Sequence, residues 1–321
     1  RATTTKNLLP SALEIDQLLN SGYANIMVEN THEAYSVRIT KSGDAQVHTE
    51  KRQSEQNLSH DKKKDRLLDS NDPFLREVGI ADAKGVIKPS RQDKYKQVEE
   101  FLRLLSPALN AAIEAGQIHK PTKEKPLRIT DLGCGHAYLT FAAHQFLINS
   151  GIPVVVTGID VRPDSRDRNN EIAEKLGITK TINFKAEEIS KTTAETADIA
   201  IALHACDTAT DDAIAFGLQK KARFMVLVPC CQAEVASCLR ANKALSLART
   251  PLAELWRHPL HTREVGSQLT NVLRCLYLES QGYAVTVTEL VGWEHSMKNE
   301  LILAKYTGQK KRSAAERLQA L

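Results

Sequence analysis

No run of apolar residues in this 321-residue chain approaches the roughly 18 needed to cross a bilayer. Its apolar stretches are as short as Phe224 to Val228, so no transmembrane helix is expected. The opening Arg-Ala-Thr-Thr-Thr-Lys lacks the basic-then-apolar order of a secretory signal and lacks an initiator Met, so we expect residues to be missing ahead of it. A secreted disulfide framework is also lacking: Cys134, Cys206, Cys230, Cys231, Cys238 and Cys275 have no such spacing, and two are adjacent. They read as reduced thiols of a cytoplasmic protein. There is no internal repeat. Nor does one sign of charge dominate, since 43 basic against 39 acidic side chains leave +4, too mild to demand a nucleic-acid partner by itself.

What is present is ordinary globular composition, 42% hydrophobic and 26% charged. The length suits one domain of about 200 residues plus a smaller one. Residues 1–57 read as a small α+β domain: an amphipathic helix at Ala12 to Leu19, then strand-like alternation at Tyr23 to Val28, Tyr35 to Thr40 and Ala45 to Thr49, with a turn at Lys41-Ser42-Gly43-Asp44. Residues 58–125 form a basic and helical connector. It carries His60, Lys62, Lys63, Lys64 and Arg66, a solvated face or an RNA contact, and then the helical spacing of Val98, Phe101, Leu102 and Leu105. Over 126–308 short apolar runs alternate with helical patterns: Leu127 to Thr130, Val154 to Ile159, Ile182 to Phe184, Ile199 to Leu203, Phe224 to Val228, Val285 to Leu290 and Leu301 to Tyr306. The first five, separated by segments long enough for crossover helices, predict parallel βαβ units; the last two predict a closing antiparallel hairpin. Residues 309–321 remain as a tail.

Asp131-Leu132-Gly133-Cys134-Gly135 lies where a predicted strand ends and a helix from about Tyr138 begins. Glycines there let backbone approach a ligand, and the helix N-terminus offers unpaired N–H groups. A tight turn without ligand explains the glycines equally well. The next strand, however, ends on Asp160, where a carboxylate can accept both hydroxyls of a ribose. Asp131 is placed to receive a cofactor ammonium, and Glu187 and Glu188 offer a carboxylate for an adenine amino group, although a solvent-facing acid pair explains them equally well. The third position of a dinucleotide fingerprint is Tyr138 rather than glycine, which points away from nicotinamide cofactors and toward S-adenosylmethionine.

Ligands of open α/β sheets sit at the carboxyl ends of the strands. Here the fourth run leads into His204-Ala205-Cys206-Asp207-Thr208-Ala209-Thr210-Asp211 and the fifth into Pro229-Cys230-Cys231-Gln232. Three roles are open. These residues line the pocket and orient substrate, with His204 or Asp207 as general base; Cys206 or Cys230 acts as a nucleophile toward a pyrimidine; or His204, Cys206, Cys230 and Cys231 bind a thiophilic metal. Without C-x-x-C spacing at either strand end the metal ranks last, and no metal centre is expected. Lys298, on the final hairpin with His295 and Asn299, is either a surface lysine or a stabiliser of an alkoxide.

Together, Asp131-Leu-Gly-Cys-Gly-His-Ala-Tyr-Leu-Thr140, Leu203-His-Ala-Cys-Asp-Thr-Ala-Thr-Asp211 and Val228-Pro-Cys-Cys-Gln232 resemble a class I methyltransferase-like family that groups bacterial proteins with eukaryotic glutathione-transferase-C-terminal-domain-containing proteins. The second and third motifs are also similar to the tRNA ribose 2′-O-methyltransferase of the acceptor stem, although this chain lacks that enzyme's Cys/His zinc-finger elements. Leu58-Ser-His-Asp-Lys-Lys-Lys64, Asp93-Lys-Tyr-Lys-Gln97 and Glu294-His-Ser-Met-Lys-Asn299 look like the bacterial members. The resemblance implies a Rossmann-like α/β fold with a seven-stranded, mostly parallel sheet and its last strand antiparallel. It also implies S-adenosylmethionine as cofactor and an RNA substrate; we expect the cofactor to be held by Asp131, Gly133, Cys134, Gly135, Asp160 and Glu188, and the substrate to enter above His204, Asp207, Cys230 and Lys298.

Overall fold

A computed structural model describes residues 17, 22–29, 32–40, 42–51, 66–194, 196–203, 205–241, 255, 257–290 and 300–321. The chain divides into two compact units, 1–64 and 65–321. The expected helix at Ala12 to Leu19 and the lysines at 62–64 therefore lie outside the described residues, apart from position 17.

In the first unit β1 (Asn25–Glu29), β2 (Glu33–Ile39) and β3 (Ala45–Lys51) form an antiparallel sheet in the order β1-β2-β3. The predicted turn closes as Thr40 N donates to the Asp44 carbonyl at 2.9 Å, with Gly43 at φ 91°.

The second unit is built on seven strands, β4 (Leu127–Leu132), β5 (Val154–Asp160), β6 (Ile182–Ala186), β7 (Ile199–Leu203), β8 (Phe224–Val228), β9 (Tyr283–Glu289) and β10 (Glu300–Tyr306). They lie in the order β6-β5-β4-β7-β8-β10-β9. The five from β4 to β8 run parallel, and β10 runs antiparallel to both β8 and β9. This is the expected mostly parallel sheet with its last strand reversed. Every residue of β7 and β8 is buried, which is why both read as unbroken apolar runs: a parallel sheet is covered on both faces. Chain order reverses direction at β4, which has β5 on one side and β7 on the other. A crevice opens at such a switch point, at the carboxyl ends of the strands.

Helices α1 (Pro73–Glu77), α2 (Gln92–Glu114), α3 (Tyr138–Asn149), α4 (Pro163–Lys175), α5 (Ala209–Gln219), α6 (Glu234–Ala241), α7 (Pro259–Ser280) and α8 (Arg312–Ala320) accompany the sheet. The helix predicted over residues 91–105 starts at Gln92 and runs on to Glu114 through Pro107. Proline removes one internal hydrogen bond, but Leu109 and Ala112 beyond it are buried, and that packing carries the helix past it. Buried Glu99 on α2 accepts the backbone N–H groups of Leu67 and Leu68 at 3.2 and 3.0 Å, tying the 66–72 segment down. Arg66, expected among the phosphate-gripping cations, lies over the Tyr95 ring at 4.9 Å. The 309–321 tail carries α8, whose start is pinned where Lys311 Nζ meets Glu279 Oε1 at 2.6 Å.

The middle of β5 has no room for a side chain. A Cβ at Gly158 would stand 2.3 Å from Phe184 Cδ1 and 3.0 Å from Cys134 Sγ. Gly158→Ala is therefore expected to cost about 1–3 kcal/mol through overpacking, read as a lowered midpoint in urea unfolding without a change of slope.

Candidate active site

The glycine turn is shaped by the strand beside it. Gly133 N and Cys134 N both donate to the Ile159 carbonyl, at 2.8 and 3.0 Å, so the turn folds over the end of β5. Gly133 and Gly135 have φ of 82° and 55°, and Ala137, at φ 55°, leads into α3. Gly135 N donates to Asp160 Oδ2 at 2.9 Å. The carboxylate at 160 is thus fastened to the turn, and the two enclose a pocket of about 380 Å³ whose wall includes Asp131, Gly133, Cys134, Gly135, Leu203 and Cys206.

Asp131 lies at the floor, almost fully buried. Its Oδ2 accepts Thr140 Oγ1 at 2.5 Å, while Oδ1 has no partner among the described residues. Burial pushes its carboxyl up to about 7, the nearby Asp160 charge adds to this, and the Thr140 hydrogen bond opposes it. Asp160 is held below the ordinary carboxylate range. Burial acts upward, but hydrogen bonds from the Arg162 guanidinium and from the backbone N–H groups of Arg162 and Gly135 outweigh it. The Arg162 contacts, 3.0 Å from Nε to Oδ1 and 3.3 Å from Nη2 to Oδ2, were not anticipated. Its side chain is 53% exposed. An ion pair with so exposed a partner is worth about 0–1 kcal/mol, so a ligand can displace the guanidinium cheaply.

An unsatisfied acceptor on the floor, a turn whose glycines leave the wall bare and a carboxylate beside it fit an amino-acid-bearing adenosine cofactor. Cys134 contributes backbone; its thiol is packed beside Gly158 and Phe184, and burial raises its pKa far beyond the ordinary range. Glu188 is not a lining residue: its carboxylate meets Lys191 Nζ at 2.7 Å. Glu187 is also engaged, accepting Thr192 Oγ1 at 2.7 Å and Thr193 N at 2.9 Å.

The β7 and β8 ends come together. Asp207 N donates to the Cys231 carbonyl at 2.7 Å, and Asp207 Oδ1 accepts Ala233 N at 3.0 Å just ahead of α6. This carboxylate, a candidate base in the sequence, joins the two loops and does not line the cofactor pocket. Behind it sits Arg274 of α7, 4% exposed, whose Nη2 donates to the Asp207 carbonyl at 2.8 Å and to Asp211 Oδ2 at 2.7 Å. Nothing in the local sequence marks Arg274, because Asp207 and Asp211 lie more than 60 residues away; only Asn271, which accepts Arg274 Nη1 at 3.2 Å, is a near neighbour in the chain. The Cys230 Sγ is 3.6 Å from both Cys206 Sγ and Cys231 Sγ. Burial, then the neighbouring thiols, raise Cys230 to about 12, and a neutral thiol is a weak nucleophile. His204 and Lys298 lie outside the described residues.

A second feature missed in the sequence is a ring of cations beside the turn. Arg91, Lys94, His136 and Arg168 line a recess of about 130 Å³. Lys94 is lowered by burial and then by Arg91; His136 is lowered by burial and then by Arg168, Arg162, Lys94 and Arg91. These residues come from three separate segments, each unremarkable alone.

Residues 93–238 match the family model described as a methyltransferase domain. Among solved structures, the magnesium protoporphyrin IX methyltransferase of Synechocystis with bound S-adenosylhomocysteine is 13% identical, with a TM-score of 0.42 over 73% of this chain and 92% of its own. A methyltransferase of Podospora anserina, also with bound S-adenosylhomocysteine, is 10% identical, with a TM-score of 0.40 over 77% and 91%. Both likenesses are too loose to bear on substrate. No curated protein sequence matches the chain. The family match spans the strands and turns that build the pocket, and it makes this enzyme a methyltransferase with S-adenosylmethionine as its cofactor.

Proposed function

We propose that the enzyme methylates structured RNA, rRNA or tRNA, with the cofactor held by Asp131, the 133–135 turn and Asp160. The cationic recess at the pocket mouth carries this reading. Lys94 and His136 there are held below their ordinary values first by burial and then by the positive charges beside them, Arg91 for Lys94 and Arg168 foremost for His136. A phosphodiester backbone relieves that repulsion, and Lys/Arg contacts to phosphate supply most of the affinity for nucleic acid.

Bound in the pocket, S-adenosylmethionine supplies an electrophilic methyl group. The chain's own residues then do the positioning. Asp131 meets the ammonium through the unpartnered Oδ1, and Asp160 takes the ribose hydroxyls once Arg162 swings aside. Asp207 holds the β7 and β8 loops in register, with Cys206 on the wall of the cofactor pocket and Cys230 on the neighbouring cavity. On sequence grounds His204 serves as base and Lys298 steadies an alkoxide, and Glu188 stays a candidate for the adenine. A second reading, a small-molecule acceptor, is favoured by a separate cavity of about 1000 Å³ that Cys230 and Cys231 border together with Asn271 and Glu300.

Three outcomes are expected. Only the Asp131 anion attracts an ammonium, and burial pushes its carboxyl up to about 7. Calorimetry with S-adenosylhomocysteine should therefore show tightening from pH 5.5 to 7.5 with uptake of the ligand coupled to proton release. Asp131→Asn should flatten that profile and weaken binding about 10-fold or more. The sign is opposite for the ligand-free protein. A carboxyl whose folded pKa lies above its unfolded value loses stability as pH rises through about 7.

Asp160→Ala removes the ribose acceptor and the tie to Gly135 N, and affinity for the same ligand should fall about 10- to 100-fold. Finally, tritiated methyl from the donor should enter bulk tRNA or rRNA, and Lys94→Ala or Arg168→Ala should each reduce the salt slope of RNA binding by about 1. Label that enters protein or small molecules and never RNA would remove the RNA reading while leaving the cofactor assignment intact.

A further inference from the structure

The three thiols at the ends of β7 and β8 serve no step of the methyl transfer as derived above. We infer that Cys206, Cys230 and Cys231 form a binding site for a thiophilic divalent cation, zinc in the first instance, set in the wall between the two cavities. The geometry is the first ground. The three Sγ atoms all lie within 4.8 Å of one another, with two separations of 3.6 Å. Zinc–thiolate bonds of about 2.3 Å in a tetrahedron place sulfurs roughly 3.8 Å apart, so two of the separations already match and the third, under 4.8 Å, needs to close by at most about 1 Å.

Packing does not account for the cluster. A buried cysteine can serve as a small apolar residue, but Cys206 is exposed and Cys230 and Cys231 are only half-buried. None of the three is in a disulfide. The loops that carry them are fixed from behind by groups that are not ligands. Asp207 N donates to the Cys231 carbonyl, Asp207 Oδ1 accepts Ala233 N, and buried Arg274 holds the Asp207 carbonyl and Asp211. Ligand-bearing loops braced in this way keep donor atoms together before an ion arrives.

Placement gives the site its character. Cys206 borders the cofactor pocket, whereas Cys230 and Cys231 border the cavity of about 1000 Å³. Three protein ligands with a fourth position facing a cavity is the arrangement of an open zinc site, in contrast to the closed four-ligand structural kind. Loading replaces three S–H bonds with three metal–sulfur bonds, and the protons pass to solvent. The site stands independently of the substrate assignment, since it rests on sulfur positions and not on the cationic recess.

The test uses the full chain, purified under a phosphine reductant and analysed for metal, then stripped and titrated with Co(II) and with Zn(II). About one equivalent of bound metal is expected, with a thiolate-to-cobalt charge-transfer absorption that zinc displaces. Cys206→Ser, Cys230→Ser and Cys231→Ser should each remove about a third of that absorption per sulfur lost and lower metal affinity. Cys238→Ser, on α6 and outside the cluster, should retain full loading. Reduced wild-type protein that takes up no cobalt would overturn the inference, as would uptake that survives all three cluster substitutions. A Cys206–Cys230 disulfide found by mass spectrometry, with no metal uptake after reduction, would also overturn it.

Discussion

The hydrogen bond from Gly135 N to Asp160 Oδ2 couples two neighbouring strands at the point where the sheet changes direction. Remove it and the turn loses its tie to the Asp160 side chain, keeping the Ile159 carbonyl, which two other N–H groups of the turn share, and the bond from Asn169 Nδ2 to the Gly135 carbonyl. The bond does two things at once. It fixes the backbone that walls the pocket, and it consumes part of the carboxylate's capacity, so that burial fails to neutralise Asp160. Asp131, one strand away and deeper, receives a single hydroxyl hydrogen bond and is pushed in the other direction. Two acids at adjacent strand ends are thus shifted in opposite directions, Asp131 upward by its deeper burial and Asp160 downward because the Arg162 and backbone hydrogen bonds outweigh its burial.

Much of the sheet was legible in the sequence because parallel strands buried on both faces leave unbroken apolar runs. Ile199–Leu203 and Phe224–Val228 have the predicted bounds. Other strands extend one or two residues beyond the apolar stretch, as at Asp131 and Asp160, where the polar residue still belongs to the ladder and pairs across it. The helix through Pro107 was not legible in full. Proline is a local stop signal, and it was overridden by the burial of Leu109 and Ala112, which depends on tertiary contacts.

At the site, the glycine turn and its acids were readable because their chemistry is local: a residue type at a strand end. What escaped is non-local. Arg162 is two residues from Asp160 and still gave no signal, since an arginine after a strand is ordinarily solvated. Arg274 reaches Asp207 and Asp211 from another helix altogether. The thiols of Cys206 and Cys230 meet as the order of strand ends implied. The C-x-x-C rule describes ligands within one turn of one chain segment, whereas here two adjacent parallel strands deliver Cys206 and the Cys230–Cys231 pair from loops 24 residues apart.

That delivery follows from the same switch-point topology that makes the cofactor pocket. β7 pairs with β4 on one side and β8 on the other, so whatever follows β7 must stand beside both the cofactor and the loop after β8. A polar or sulfur-bearing residue at that one place is in contact with two cavities without any special folding of its loop. The buried Arg274 makes the placement permanent. A guanidinium in the interior is tolerable only with its donors satisfied, and Asp211, Asn271 and the Asp207 carbonyl supply the acceptors. Losing Asp211 would leave the guanidinium without its counter-charge and losing either neutral acceptor would leave a buried N–H unsatisfied, so the ends of β7 and β8 are held in register by the cost of burying those donors unpaired.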